Sequence, residues 1–327
     1  MTVAWRRLSW RVDTPALYSA PLWQSYAKVL ILCHSVRRLP DGTRERHATV
    51  NEAQRELLEQ RYGRDEAPAG LIWNEQVEAL LRHRSVRAFL PEPLPEGALE
   101  TMVAAAQSAS TSSNLHHWSV VAVTAPELKA RLTEFTRSRL SGTTYRFVDE
   151  APVVLLWVAD NSRNHAITEE RGEVAASLEY LDSFTTATID TAIAAQNAVV
   201  AAEAIGLGAV YLGAMRNRAE ELADLIGLPD HSYVAFGLAV GVPDPERAGG
   251  IRPRPPQRVV LHHDRYSPTP SAQWVPGYEA VSERFRDDQG MRPRSWTDSV
   301  VTGTSLEYLD GREELRDAVT GRGHGLG

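Results

Sequence analysis

Two hydrophobic periods, one helical and one extended, alternate along the chain from Leu71 onward. Val77, Leu80 and Leu81 recur on one side of a helix that Asn74 caps, because its side chain can accept from a free N–H of the first turn. Leu99, Met102, Val103 and Ala106 repeat the helical spacing. Ser119 to Val123 reads as a strand. Thr124 with Glu127 reads as a capping box for a helix that carries Leu128, Leu132 and Phe135 inward. Pro152 to Val158 is continuously apolar, which predicts a central strand covered on both faces. A peripheral helix falls within 161–185. Thr188 to Ile205 is alanine-rich and apolar nearly all round, so it predicts a deeply buried helix that packs closely in the core or across a dimer. Asn217 with Glu220 caps a further helix, Leu222, Leu225 and Ile226 face inward, and Gly227 stops it. Tyr233 to Val240 and Val259 to His262 complete the strands. No βαβ unit repeats, so the fold class is α+β.

Upstream of Leu71 the pattern weakens. Residues 1–70 read as a partly irregular N-terminal extension, and 71–327 as the folded domain. Lys28 to Cys33 is enough for a strand, and a helix is predicted only from Asn51, with Leu57, Leu58 and Tyr62 on one side and Gly63 as its stop. The extension is either a lid or dimer arm or a dispensable tail. A sharper expectation is that native translation starts near Val50, which Met1 at the mature end would overturn. Arg6-Arg7 does not open an export signal, because Asp13, Pro15 and Pro21 break any apolar run after it.

Composition narrows the partners. A net charge of -7 over 327 residues argues against a general nucleic-acid or anionic-membrane binder. The one cysteine, Cys33, excludes an internal disulfide and fits a cytoplasmic location. No apolar run reaches the roughly 20 residues that a membrane span needs. His116-His117 and His262-His263-Asp264 lack the further ligands of a metal site, so no metal is expected. Gly206-Leu207-Gly208 begins like a dinucleotide fingerprint, but it comes after a helix and the third glycine position holds Tyr211, so that reading fails. There is no Gly-x-Ser-x-Gly elbow, Walker loop or His-Glu-x-x-His, so the chain either borrows a cofactor's chemistry or is not an enzyme.

The candidate chemistry lies at the two ends of the stretch from His83 to Trp118, read as one anion- and ring-binding site. If the preceding helix continues that far, Arg84 and Arg87 at i and i+3 share a side, where with Ser85 they can fork onto a phosphate. A solvated basic helix end beside Glu92 and Glu96 explains the same residues. Arg252-Pro253-Arg254 is a second basic element that can meet the same phosphate, or is a plain linker. The Ser/Thr run 110–113 offers hydroxyls and N–H groups to a polar ring edge, or is only a loop.

Arg84-Ser85-x-Arg87-x-Phe89, the Ser/Thr-Asn turn about 25 residues on, Asp190…Ala195-Gln196-Asn197 and Gly206 to Asn217 together resemble the nitroreductase superfamily. The narrower likeness is to its oxygen-insensitive, NADPH-dependent nitroreductase and flavin reductase branch, which Arg252-x-Arg254 and Arg292-Pro293-Arg294-Ser295-Trp296 also resemble. The likeness spans roughly 74–310. It implies a nitroreductase-like fold with a central mixed or antiparallel sheet flanked by helices, FMN as cofactor, NADPH as co-substrate, and a homodimer with the alanine-rich helix buried. By position, His83, Arg84, Ser85 and Arg87 would hold the FMN phosphate, ribityl chain and pyrimidine edge. Ser110, Thr111 and Ser112 would line the isoalloxazine from the facing subunit. Leu212, Gly213 and Ala214 would lie beside the ring, with Arg252 and Arg254 on the phosphate. Arg286, Arg292 and Arg294 would meet the 2′-phosphate of NADPH.

Departures from the family pattern are Thr144, Tyr145 or Arg146 near the ring where Gln or Lys is usual, Ala214 for a second glycine, and Arg252 for lysine. The implied reaction passes hydride from NADPH by way of FMN to nitroaromatics, quinones or free flavin in a ping-pong cycle that needs no side-chain nucleophile. Alternatives are dehalogenation or flavin breakdown on the same fold, or a non-enzymatic flavin-binding protein.

Overall fold

The computed structural model describes residues 51–327, apart from position 140. The strand expected over residues 28–33 and the start near Val50 lie outside the described residues. The described residues belong to one compact unit, Thr49–Gly327. Its helices are α1 (Glu52–Tyr62), α2 (Glu75–Arg82), α3 (Ala98–Gln107), α4 (Pro126–Phe135), α5 (Phe147–Glu150), α6 (Ser162–Glu170), α7 (Leu181–Ala204), α8 (Ala219–Ile226), α9 (Val275–Asp288), α10 (Trp296–Gly303) and α11 (Leu315–Gly321). Its strands are β1 (Trp118–Val123), β2 (Val153–Asp160), β3 (Gly208–Leu212) and β4 (Ser232–Gly241). They form one antiparallel sheet in the order β1-β2-β4-β3.

Strand periodicity sorts the core into two layers. All eight residues of β2 are buried. Val154, Leu156 and Val158 face a layer with Leu132 and Phe135 of α4 and Leu222 of α8. Val153, Leu155 and Trp157 face Met102 and Ala106 of α3 and Ala194, Ala195 and Ala198 of α7. Alternate side chains of a strand point to opposite faces, so a continuous apolar run is what a doubly covered strand requires. The α+β class and the central strand both hold.

Several local expectations give way to tertiary contacts. α7 is longer than predicted and is not buried all round: Asp190, Thr191, Ala194, Ala195 and Ala198 are buried, while Ile189 and Ile193 are 51% and 40% exposed. α2 has its Asn74 cap, yet none of its residues is fully buried and Leu80 is exposed. Thr124 does not cap α4, which starts instead at Pro126 after Ala125; proline at the first helical turn needs no N–H partner. Asn217 does not cap α8 either. It is buried, donating to the Phe135 carbonyl and accepting from Arg312 Nη1 at 2.8 Å. Residues 259–262 form no strand, and Val260 and Leu261 are exposed. Among the described residues, no helix is long and apolar enough to cross a membrane.

Candidate functional site

α2 stops at Arg82, and His83 turns the chain into extended backbone with φ −48° and ψ 134°. Arg84 and Arg87 therefore do not share a helical side. The segment runs instead along the sheet edge: Val86 N–H donates to the Ala209 carbonyl of β3 at 2.9 Å, and Leu90 N–H to the Val242 carbonyl at 2.9 Å. Gly208 makes this possible, since a Cβ there would stand 2.4 Å from a Val86 methyl. Val86, Ala88 and Phe89 are buried in consequence, leaving Arg84, Ser85 and Arg87 on the open side. His83 Nδ1 lies 2.6 Å from Glu203 Oε1, near the C-terminal end of α7.

The second basic element comes to the same place. Arg252 lies over the Phe285 ring of α9 at 5.5 Å, and its charge helps hold the Arg87 guanidinium below the ordinary arginine range. Loss of solvent around Arg87 is the larger cause, and Tyr145, stacked on Phe147, acts in the opposite direction. Arg254 N–H donates to the Arg61 carbonyl at 2.7 Å. Among the described residues, Arg84, Arg87, Arg252 and Arg254 have no carboxylate partner, whereas Arg82, Arg131, Arg137, Arg163 and Arg247 each have one. Converging cations without counter-charge raise one another's free energy, and a phosphate dianion relieves it through forked hydrogen bonds. The structure thus brings together Arg87, Arg252 and Tyr145.

It does not bring the Ser/Thr run to them. Thr111 Oγ1 donates to Asp190 Oδ2 at 2.6 Å, Ser112 N–H to both Asp190 oxygens at 3.0 and 3.1 Å, and Ser112 Oγ to Oδ1 at 3.1 Å. Asp190 and Glu203 both belong to α7, and at about 1.5 Å per residue they stand roughly 20 Å apart along its axis. Within one chain the two ends of 83–118 are therefore separate. Ser110 is exposed beside this turn. Ser112 also borders a cavity of about 690 Å³ with Leu115, His117, Ile167, Val174 and Asp182. Leu212 and Ala214 are buried at the far end of β3, around Gly213.

The C-terminal arginines have mostly found other work. Arg286 donates to the Arg292 carbonyl, closing the turn after α9, and Arg294 donates to the Asp298 carbonyl and to Thr302 Oγ1. The Arg292 guanidinium has no partner among the described residues. Sequence reasoning missed Arg61, Asp190 and Glu203 as organising residues. Arg61 carried no signal, since a basic residue in a helix's last turn is ordinary.

An α+β sheet with paired basic loops at one edge and a long alanine-rich helix beneath is a class of protein that other chains share. The Nitroreductase family model matches residues 80–242, and the model "Nitroreductase family, C-terminal domain" matches 252–326. A Staphylococcus epidermidis NADPH-dependent oxidoreductase is 36% identical over 250 residues, covering 74% of this chain and 96% of its own. The Bacillus subtilis protein named FMN reductase (NADPH) is 34% identical, covering 70% and 90%. Among solved structures, Bacillus megaterium NfrA1 superposes with a TM-score of 0.70 at 32% identity, over 77% of this chain and all of its own. Vibrio harveyi NADPH:FMN oxidoreductase, complexed with NAD+, gives 0.65 at 28%, over 77% and 99%. The chain belongs to the nitroreductase family.

Proposed function

We propose that this protein is an NADPH-dependent, FMN-containing oxidoreductase that reduces small acceptors: nitroaromatics, quinones or free flavin. The carrying observation is the set of guanidiniums at Arg84, Arg87, Arg252 and Arg254, which have no carboxylate among the described residues. That donor set fits the phosphate monoester of FMN, and Arg87 and Arg252 would hold it most directly. His83 and Ser85 would meet the ribityl chain or the pyrimidine edge, and Leu212, Gly213 and Ala214 would flank the ring. FMN supplies the hydride chemistry when bound, with NADPH and the acceptor using one place over the ring in turn. The chain's own residues have three tasks: to bind the anion, to orient the ring and to exclude water. Reacting atoms must be held about 3–3.5 Å apart, so this is a demand for rigidity. Cationic groups near the ring would also favour its reduced, anionic form.

The active unit is a homodimer on this reading. Ile189 and Ile193 form an exposed apolar pair on α7, and burial against a second copy gains hydrophobic free energy. A two-fold partner would carry its Ser110–Ser112 turn to this chain's basic loops, which a single chain keeps roughly 20 Å apart along α7. For the nicotinamide nucleotide, Arg292 is the one of Arg286, Arg292 and Arg294 whose guanidinium has no partner among the described residues, and so the candidate contact with the 2′-phosphate; Arg286 and Arg294 would shape the loop that presents it.

A visible spectrum of the purified protein, before and after anaerobic NADPH, tests the proposal. Flavin bands that bleach with NADPH and return with an acceptor are expected. Protein that stays colourless and cannot be reconstituted with FMN would overturn it. Light scattering on the same sample reads the dimer.

A further inference from the structure

α1 lies outside both segments that match the family, 80–242 and 252–326. It nevertheless reaches the basic loops. Arg61 is only 5% exposed, and its guanidinium donates to three backbone carbonyls: Leu81 at 2.7 Å, His83 at 2.6 Å and Arg252 at 2.8 Å. Its own carbonyl accepts from Arg254 N–H at 2.7 Å. One residue therefore ties the chain entering Arg84–Arg87 to the chain carrying Arg252 and Arg254. The neighbouring residues fasten α1 to the C-terminal segment. Gly63, with φ +79°, lets Val281 of α9 close over it, and Glu66 pairs with Arg258.

We infer that Arg61 is a positioning residue for the phosphate cradle, acting through the backbone of both basic loops. The inference rests on the functional reading above. The physical case is that a planar guanidinium fixes several acceptors at once, which no uncharged side chain of that length does. Burial lowers the Arg61 pKa below its ordinary value, and Arg254 lowers it further. That cost is offset by the three carbonyls and by Tyr62 and Glu203 nearby. Placing a cation there also adds positive potential beneath an anion site.

The test is the ratio of FMN to riboflavin affinity, read by fluorescence quenching in the full-length chain. Riboflavin lacks only the phosphate, so the ratio isolates the cradle. Arg61→Met should lower the FMN affinity roughly tenfold to a hundredfold, the scale of charged hydrogen bonds, while riboflavin affinity moves little. Leu58→Ala, which truncates a buried residue of the same helix, should reduce thermal stability and leave the ratio unchanged. Should Arg61→Met fail to fold, Arg61→Lys gives the reading, since lysine keeps the charge without the fork. A ratio at the wild-type value in the folded Arg61 variant, or equal losses for both ligands, would overturn the inference. Wild-type protein that prefers FMN no more than riboflavin would instead overturn the cradle itself, and this inference with it.

Discussion

The two ends of the stretch from His83 to Trp118 are both anchored on α7, yet they are finished differently. At the Asp190 end the central donors are engaged: one buried carboxylate takes Thr111 Oγ1 and both the N–H and Oγ of Ser112. At the Glu203 end His83 meets the carboxylate and Arg61 holds the loop backbone, but the guanidiniums of Arg84, Arg87, Arg252 and Arg254 stand without counter-charge among the described residues. A closed cluster of this kind stabilises a turn, while an open one keeps its binding energy for something that arrives. The difference separates scaffold from site more clearly than residue type does, since hydroxyls and arginines are equally able to bind a flavin.

The largest effect that would sharpen this contrast is on stability. Asp190→Ala should cost about 3 kcal/mol in urea unfolding, because it strands several partly buried donors at once. A loss near zero would break the idea of a closed scaffold. Arg87→Ala should weaken FMN binding by about 1.5–3 kcal/mol, as titration would read it, with little change in the unfolding midpoint. Unaltered affinity would take Arg87 out of the site. Ser112→Ala should lower stability by about 1 kcal/mol. If the run also lines the ring from a partner chain, FMN affinity falls in parallel, and if it is scaffold alone the affinity stays. The smallest change is expected from Arg292→Ala, roughly a two- to fivefold rise in KM for NADPH with KM for NADH unmoved, since an exposed ion pair contributes little. Equal rises for both nucleotides would remove the 2′-phosphate contact.

A pH series adds a contrast from another part of the molecule. His324 is buried beside Phe184 and Tyr233, and burial first, then His231 and Arg322, lowers its pKa to about 4. A histidine whose folded pKa lies below its unfolded value of about 6.5 favours folding in the neutral form. Its contribution is complete above about pH 6.5 and is lost as pH falls toward 4. His324→Phe should flatten the stability profile in that window, and an unchanged slope would assign the acid lability elsewhere.

Sequence alone determined the elements whose signal is local. The run Pro152 to Val158 is apolar on both alternations, so it had to be central, and the spacing in α3 and α8 fixed which faces turn inward. Asn74 and Gly227 are at the ends of their helices because capping is a matter of a few neighbouring bonds. The order of the basic and Ser/Thr motifs also pointed to the family. What needed the tertiary structure was where side chains place their hydrogen bonds. Asn217 and Thr124 carry cap-like patterns, but a buried partner claims the first and Pro126 displaces the second. Arg84 and Arg87 take their placement from β3 rather than from helical spacing. Arg61 is indistinguishable in sequence from a solvated helix end; only folding brings its guanidinium to carbonyls 20, 22 and 191 residues away. Contacts across such separations leave no trace in local periodicity, because each costs loop entropy that is offset only once the whole core has closed.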